Sequence, residues 1–152
     1  TPAFGNAATP ILSHDKTFVI YAHSYDGFDR LAATRADGKT WPVILEEGAD
    51  FYLNPCLSPD DRYLAWIEWN HPNMPWDGTS LKIAKLDLQS LSLSEIQTLD
   101  GFGEYACYQA CFRSFCSPHD SIPWPAAPEI FCKKFILAVR NVFVCIFFSG
   151  FD

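Results

Sequence analysis

No glycine in this chain opens a G-x-S-x-G motif, so the strand-to-helix elbow that exposes a seryl nucleophile beside an oxyanion donor is not written in it. Paired C-x2-C knuckles are absent too. Cys107, Cys111, Cys116, Cys132 and Cys145 are separated by 3, 4, 15 and 12 residues, and even with His119 nearby this is not the spacing of a structural zinc site. Unpaired thiols in a reducing compartment are the plainer reading. No apolar stretch approaches the roughly 20 residues that a membrane helix needs, because the strongest run, Phe131 to Phe148, is interrupted by Lys133, Lys134 and Arg140. It is expected to form a strand or a short helix over an exposed sheet edge, and to favour aggregation in isolation. No charged segment followed by an apolar run and a small-residue cleavage site opens the chain, so a cytoplasmic location is expected. Basic side chains are scarce: 11 against 18 acidic ones, for a net charge of −7. That balance argues against nucleic acid or an anionic membrane surface as a partner.

What the chain does have is a repeat. TPILSHDKTFVIY, from Thr9 to Tyr21, matches NPCLSPDDRYLAW, from Asn54 to Trp66, with Pro10 over Pro55, Leu12 over Leu57, Ser13 over Ser58 and Asp15 over Asp60, at a constant offset of 45. A period of about 40 to 45 residues with one turn and several short strands per unit is the signature of a β-propeller blade. The 152 residues are too few for a closed ring of at least about four such blades. A fragment or a piece of a larger protein is therefore expected.

Each copy reads as an antiparallel sheet. Phe18 to His23 is a β-branched and aromatic run after the polar turn His14-Asp15-Lys16, which predicts a strand. Leu31 to Thr34 follows the Gly27 turn, Ala36 to Lys39 is a hairpin signal, and Thr40 to Leu45 suits an outer strand. In the second copy Phe51 to Leu57 leads to the turn Ser58-Pro59-Asp60-Asp61, then to Tyr63 to Trp69, Ser80 to Leu88 and Glu95 to Leu99. Asp60 suits its turn because its carboxylate can accept from backbone amides further along.

Between the second and third strands of the second copy stands Asn70-His71-Pro72-Asn73-Met74-Pro75-Trp76-Asp77-Gly78. Two prolines deny it ladder hydrogen bonds, so it should be an ordered loop. Loops on a rigid sheet are where binding residues gather, which makes His71, Trp76 and Asp77 the candidate binding residues. The alternative, favoured by the general burial of large aromatics, is that Met74 and Trp76 fold back as a plug over the sheet edge. His14, His23, His71 and His119, with Ser13, Ser24 and Ser58 near some of them, show no base, orienting acid and oxyanion hole in combination. No catalytic residue, metal ligand or cofactor motif is assigned.

The stretch AWIEWNHPNMPWDGTSL resembles the propeller of prolyl oligopeptidase-family serine peptidases, in their acylaminoacyl-peptidase and dipeptidyl-aminopeptidase-like branch. TPAFGNAATP, YAHSYDGFDRLA and the WP…GADFY approach to the second copy fit the same pattern, so the resemblance spans roughly residues 1 to 99. It implies a parent with an N-terminal propeller that gates peptide access and a C-terminal α/β-hydrolase domain with a Ser-Asp-His triad. The triad finds no position here, so this chain alone is expected to be inactive. The competing expectation is a non-catalytic interaction module, self-associating through exposed blade edges.

Residues 101–152 are of another kind. They carry 4 acidic and 4 basic side chains, against 14 and 7 in residues 1–100, and hold 9 of the 13 Phe and 5 of the 6 Cys. Ser117-Pro118-His119-Asp120 echoes the turn of the second copy, but the following SIPWPAAP cannot be a central strand, so the repeat is expected to end. The overall expectation is an all-β chain: a partial β-propeller of about two four-stranded antiparallel blades over residues 1–100, then an irregular hydrophobic tail. The tail is expected to be non-native, read from intron or frameshifted sequence. Gly103-Glu104-Tyr105 can be encoded around a splice-donor-like string, and Ile146 to Gly150 around an acceptor-like one.

Overall fold

In the computed structural model the described residues are 5–104, 106 and 107, together with the backbone of strands 109–113, 135–139 and 142–147. Expectations for the other residues, including Ser117 to Pro128, lie outside the described part. Four strands, β1 (Asn6–Leu12), β2 (Phe18–Tyr25), β3 (Phe28–Arg35) and β4 (Val43–Glu46), form the first antiparallel sheet in that order. The second sheet repeats it with β5 (Phe51–Leu57), β6 (Tyr63–Trp69), β7 (Ser80–Asp87) and β8 (Ser92–Asp100). These are two blades of a propeller, and the described residues contain no helix.

The 45-residue offset holds down to single atoms. Ser13 Oγ donates to Asp15 Oδ1 at 2.6 Å and accepts from the Phe18 amide at 3.0 Å. Ser58 Oγ donates to Asp60 Oδ1 at 2.7 Å and accepts from the Tyr63 amide at 2.9 Å. Both serines are buried, so a hydroxyl that bonds in both directions leaves no orphan atom in the turn. Lys16 and Asp61 occupy the same left-handed position, at φ 60° and 56°.

The prolines of the repeat serve as bulges. Strand pairing slips by one residue between Ala8 and Ile11 against β2, and again between Leu53 and Cys56 against β6. Thr9 and Asn54, just before Pro10 and Pro55, both have positive φ. A proline lacks the amide a regular ladder would use, and a bulge is where that loss is tolerated. The strand β1 containing the first bulge begins before the run that sequence patterning marks.

The blades pack face to face. Ile20, Ala22, Leu31, Ala33 and Leu45 of the first meet Tyr52, Leu64, Trp66, Ala84 and Leu86 of the second in one buried cluster. The opposite face of the second blade buries Ala65, Ile67, Leu81 and Ile83 with Cys107. Period-2 alternation explains this division: Leu64 and Trp66 point one way, Ala65 and Ile67 the other. Both faces are covered, so β6 reads as a nearly continuous apolar run.

Beyond Cys107 the described residues are strands, one of the two forms expected of Phe131 to Phe148. β9 (Gln109–Arg113), β10 (Phe135–Val139) and β11 (Val142–Phe147) form a third antiparallel sheet, ordered β10-β11-β9. The apolar β-branched and aromatic content of Phe131 to Phe148 favours strands. The order is not that of a blade, however, because β10, next after β9 in sequence, is not its neighbour in the sheet. The four-strand repeat stops after β8.

Candidate functional site

A meander places alternate connections at opposite ends. The β6–β7 loop, residues 70–79, therefore shares its end with the β2–β3 turn, away from the Ser13 and Ser58 turns. Its backbone is closed on itself: the Asn73 amide donates to Asn70 O at 3.0 Å, the Asp77 amide to Met74 O at 2.9 Å, and the Met74 amide to Asp77 Oδ2 at 3.3 Å. The His71-Pro72 peptide is cis.

From below, residues 101–107 hold the loop. Asn73 Nδ2 donates to Gly103 O at 3.2 Å, and the Gly103 amide donates to Thr79 O at 3.2 Å. The buried Thr79 hydroxyl accepts from the Cys107 amide at 2.6 Å and lies 3.1 Å from Cys107 O. At Gly78 an added Cβ would stand 2.1 Å from Gly103 O, so only glycine permits this approach. Burial pushes the Cys107 thiol up to about 11.

On its outer side the loop joins the start of β5. The His71 amide donates to Asp50 Oδ2 at 2.8 Å, its Nδ1 lies 3.2 Å from the same oxygen, and the Asp50 amide donates to Asn70 Oδ1 at 2.8 Å. Those bonds from His71 hold the Asp50 carboxyl below its ordinary range. Phe51 contacts two sequence-distant rings, stacked on Trp69 at 5.0 Å and 19° and tilted against His71 at 5.0 Å and 56°.

Beneath this surface the two blades share a polar seam. Trp66 Nε1 donates to Glu68 Oε2 at 2.8 Å, and Lys82 Nζ lies 3.2 Å from Glu68 Oε1. Burial, then the neighbouring Glu68, pushes the Glu46 carboxyl up. Tyr52, whose hydroxyl accepts from the Ala49 amide at 3.0 Å, is pushed up to about 12, chiefly by burial.

Of the three candidate residues, the structure places His71 in an aromatic and carboxylate setting and leaves Trp76 57% exposed. The plug does not form: Met74 is 43% exposed as well, because Gly78, Asn73 and Thr79 already close that edge through Gly103 and Cys107. Asp77 is committed to the Met74 amide. No hydrogen bond or ring contact joins His71 to Trp76. Sequence reading missed Asp50, Phe51 and Trp69. Their signal was the register, since Phe51 and Trp69 are direct cross-strand partners, but register emerges only once strands are paired.

The arrangement offers a flat aromatic face with an imidazole and a carboxylate beside it, suited to an apolar or amine-bearing segment. Among the described residues the Ser13 hydroxyl, next in sequence to the His14–Asp61 pair, is already donated to Asp15. Among the described residues no group of three or more His, Cys, Asp or Glu could hold a metal. Cys111 and Cys145 are cross-strand partners in backbone register; Cys116, Cys132 and His119 lie outside the described residues.

No family model matches the chain, and no curated protein matches it. Among solved structures, it is similar to a puromycin-hydrolyzing peptidase of Mycobacterium tuberculosis, at 28% identity and TM-score 0.60, over 74% of this chain and 20% of that one. It is also similar to puromycin hydrolase, at 31% identity and TM-score 0.60, over 72% of this chain and 19% of that one. What the chain matches is the propeller part of prolyl oligopeptidase-family peptidases. It spans about a fifth of the length of these peptidases. The two blades and the loop of residues 70–79 are thus similar to the propeller part of these peptidases, which bears out at the level of the family the resemblance read from AWIEWNHPNMPWDGTSL.

Proposed function

We propose that these residues are the substrate-gating propeller region of a serine peptidase that hydrolyses peptides or acyl-peptides, and that they carry out no turnover of their own. One observation carries this reading: a loop pinned from below by Gly103 and Cys107 presents His71 and Trp76 outward at one end of the blades. A rigid scaffold with exposed aromatic and polar groups is how a gating surface discriminates passing peptides. Peptide substrate is the partner in the full-length parent, at a cytoplasmic location, without nucleic acid or membrane.

Titration of the purified chain with a tripeptide in acyl-blocked and free-amine forms tests this. Binding is expected to change indole emission, to be lost in Trp76→Ala and His71→Ala, and to proceed without hydrolysis. Turnover by the chain alone, or binding indifferent to both substitutions, would overturn the proposal.

A second reading, a self-associating interaction module, draws on the outer strand β4 and its approach, where Trp41, Val43 and Ile44 are 76%, 40% and 41% exposed. An apolar edge strand is a template for pairing. A discrete oligomer in size-exclusion chromatography favours the module; soluble aggregate favours the fragment.

A further inference from the structure

Every ladder of the two blades joins strands consecutive in sequence, and so does the ladder between β10 and β11. The pairing of β11 with β9 is different, because the whole of β10 lies between them in the chain. Its register runs without a shift from Phe143 opposite Arg113 to Phe147 opposite Gln109, and at its centre Cys145 stands opposite Cys111. Side chains alternate along both strands, so residues directly opposed lie on one face of the sheet. A slip of one residue would have put these two cysteines on opposite faces.

The backbone spacing of such a pair suits a covalent bridge. Opposed residues of an antiparallel ladder have Cα atoms about 4.5 or 5.5 Å apart, according to whether the pair exchanges hydrogen bonds. Disulfides take Cα separations of about 4.4 to 6.8 Å, so either kind of pair can be bridged with the strands where they are. The cysteines of the blade region are placed otherwise. Cys56, in β5, has Ala65 as its cross-strand partner. Cys107 is buried against the second blade with its amide bonded to Thr79. Both are free thiols.

We propose that Cys111 and Cys145 form a reversible cross-strand disulfide, a redox-sensitive site whose oxidant is a small disulfide such as oxidised glutathione. The thiolate of one cysteine attacks a glutathione sulfur, which gives a mixed disulfide and releases one glutathione thiolate. The second cysteine, deprotonated, attacks the protein sulfur of that mixed disulfide and expels the other glutathione thiolate. The chain gives up two electrons and two protons, and oxidised glutathione becomes two thiol molecules. The bridge has a structural consequence. The third sheet meets β5 and β6 of the second blade through β9, so a bond from β9 to β11 fastens the β10–β11 pair to the blades. It also removes from the unfolded chain the entropy of bringing two distant strands together. A reducing pool keeps the pair as thiols, and a more oxidising one closes it. The site is separate from the loop that carries His71 and Trp76 and does not depend on the gating role of that loop.

Equilibration of the full chain with mixtures of reduced and oxidised glutathione, alkylation of the remaining thiols and chymotryptic mapping test the assignment. Cleavage after Tyr108, Phe112, Phe143 and Phe147 leaves Cys111 and Cys145 each in a short peptide with no other cysteine. Those two peptides are expected to be joined at a lower proportion of oxidised glutathione than any other pair, and to separate on addition of dithiothreitol. The same oxidation in denaturing guanidinium is expected to lose this preference. The oxidised chain is expected to melt at a higher temperature than the reduced one, and Cys111→Ser and Cys145→Ser should each abolish both the linkage and that difference. Alkylation of both cysteines throughout, linkage chiefly to Cys56, Cys107, Cys116 or Cys132 or between two chains, equal preference in guanidinium, or equal melting temperatures would overturn the proposal.

Discussion

His14 in the first turn of blade one is tied to Asp61 in the first turn of blade two by two hydrogen bonds, from its amide to Asp61 Oδ2 at 2.8 Å and between Nδ1 and Oδ1 at 2.7 Å. The partners are 47 residues apart, so this clamp belongs to the interface between repeats and not to either repeat. Asp61 itself sits at positive φ, a conformation in which aspartate is tolerated better than most residues.

Asp61→Ala therefore removes both bonds and places alanine in a left-handed position. The expected cost is about 1 to 3 kcal/mol, from net hydrogen-bond values near 1 kcal/mol each plus backbone strain. Asp61→Gly relieves the strain and isolates the clamp. Urea denaturation of the two variants checks this, and equal midpoints for Asp61→Gly and the parent would show the clamp to be energetically silent.

Asp60 gives the chain a defined acid sensitivity. The Ser58 hydroxyl first, then Arg62, lowers its carboxyl from 3.8 to about 2. A carboxylate whose folded value is depressed stabilises the fold above its unfolded value, and that contribution is lost as pH falls. The window runs from about 4 down to about 2. Asp60→Asn should be less stable than the parent at neutral pH and indistinguishable from it near pH 2, as read by thermal unfolding across that range. The Asp60 side chain is 42% exposed, so the difference should be modest and reduced by salt. Asp15, held low chiefly by Ser13 and Thr17, should behave in the same direction.

Gly78→Ala should fail where Gly27→Ala is tolerated better. A Cβ at 78 would fall 2.1 Å from Gly103 O, whereas one at 27 meets nothing within 4 Å. The clash must push the loop off residues 101–103, at an expected cost of about 1 to 3 kcal/mol. Gly27→Ala suffers only its positive φ of 76°. Melting temperatures of the two variants compare the effects directly, and loss of amide protection at Cys107 should accompany the first alone.

Cys107 and Cys56 should differ in reactivity. Cys107 is buried with its thiol pushed up to about 11, whereas Cys56 is partly accessible. The thiolate is the reactive form, so iodoacetamide at pH 8 should label Cys56 well before Cys107, as resolved by peptide mapping. Equal rates would mean that the segment from Gly101 to Cys107 opens readily.

The two blades were legible because their signals are local. Ser13 with Asp15 and Ser58 with Asp60 act within five residues of sequence, and strands such as Phe18 to His23 announce themselves by alternation and β-branching. The bulges at Thr9 and Asn54 were half legible: Pro10 and Pro55 marked the places without saying that pairing would slip there. The site resisted sequence reading for a different reason. The Phe51–Trp69–His71 stack needs residues brought together by register, and the exposure of Trp76 depends on Gly103 and Thr79 having taken the edge that Trp76 was expected to cover. In the tail, the apolar run from Phe131 to Phe148 announced a strand or a short helix, but its break into Phe135 to Val139 and Val142 to Phe147 and their pairing with Gln109 to Arg113 depend on register that no local signal carries.

The consecutive strand order within each blade also governs how the chain folds as it is made. Every ladder of the first sheet closes between residues 6 and 46, and every ladder of the second between residues 51 and 100. Once Glu46 has left the ribosome, the first sheet has all its hydrogen-bonding partners and waits only for a face to cover Ile20 and Leu31. The second blade supplies that face from Tyr52, Leu64 and Trp66, so assembly can proceed in the direction of synthesis with short loops to close at each step.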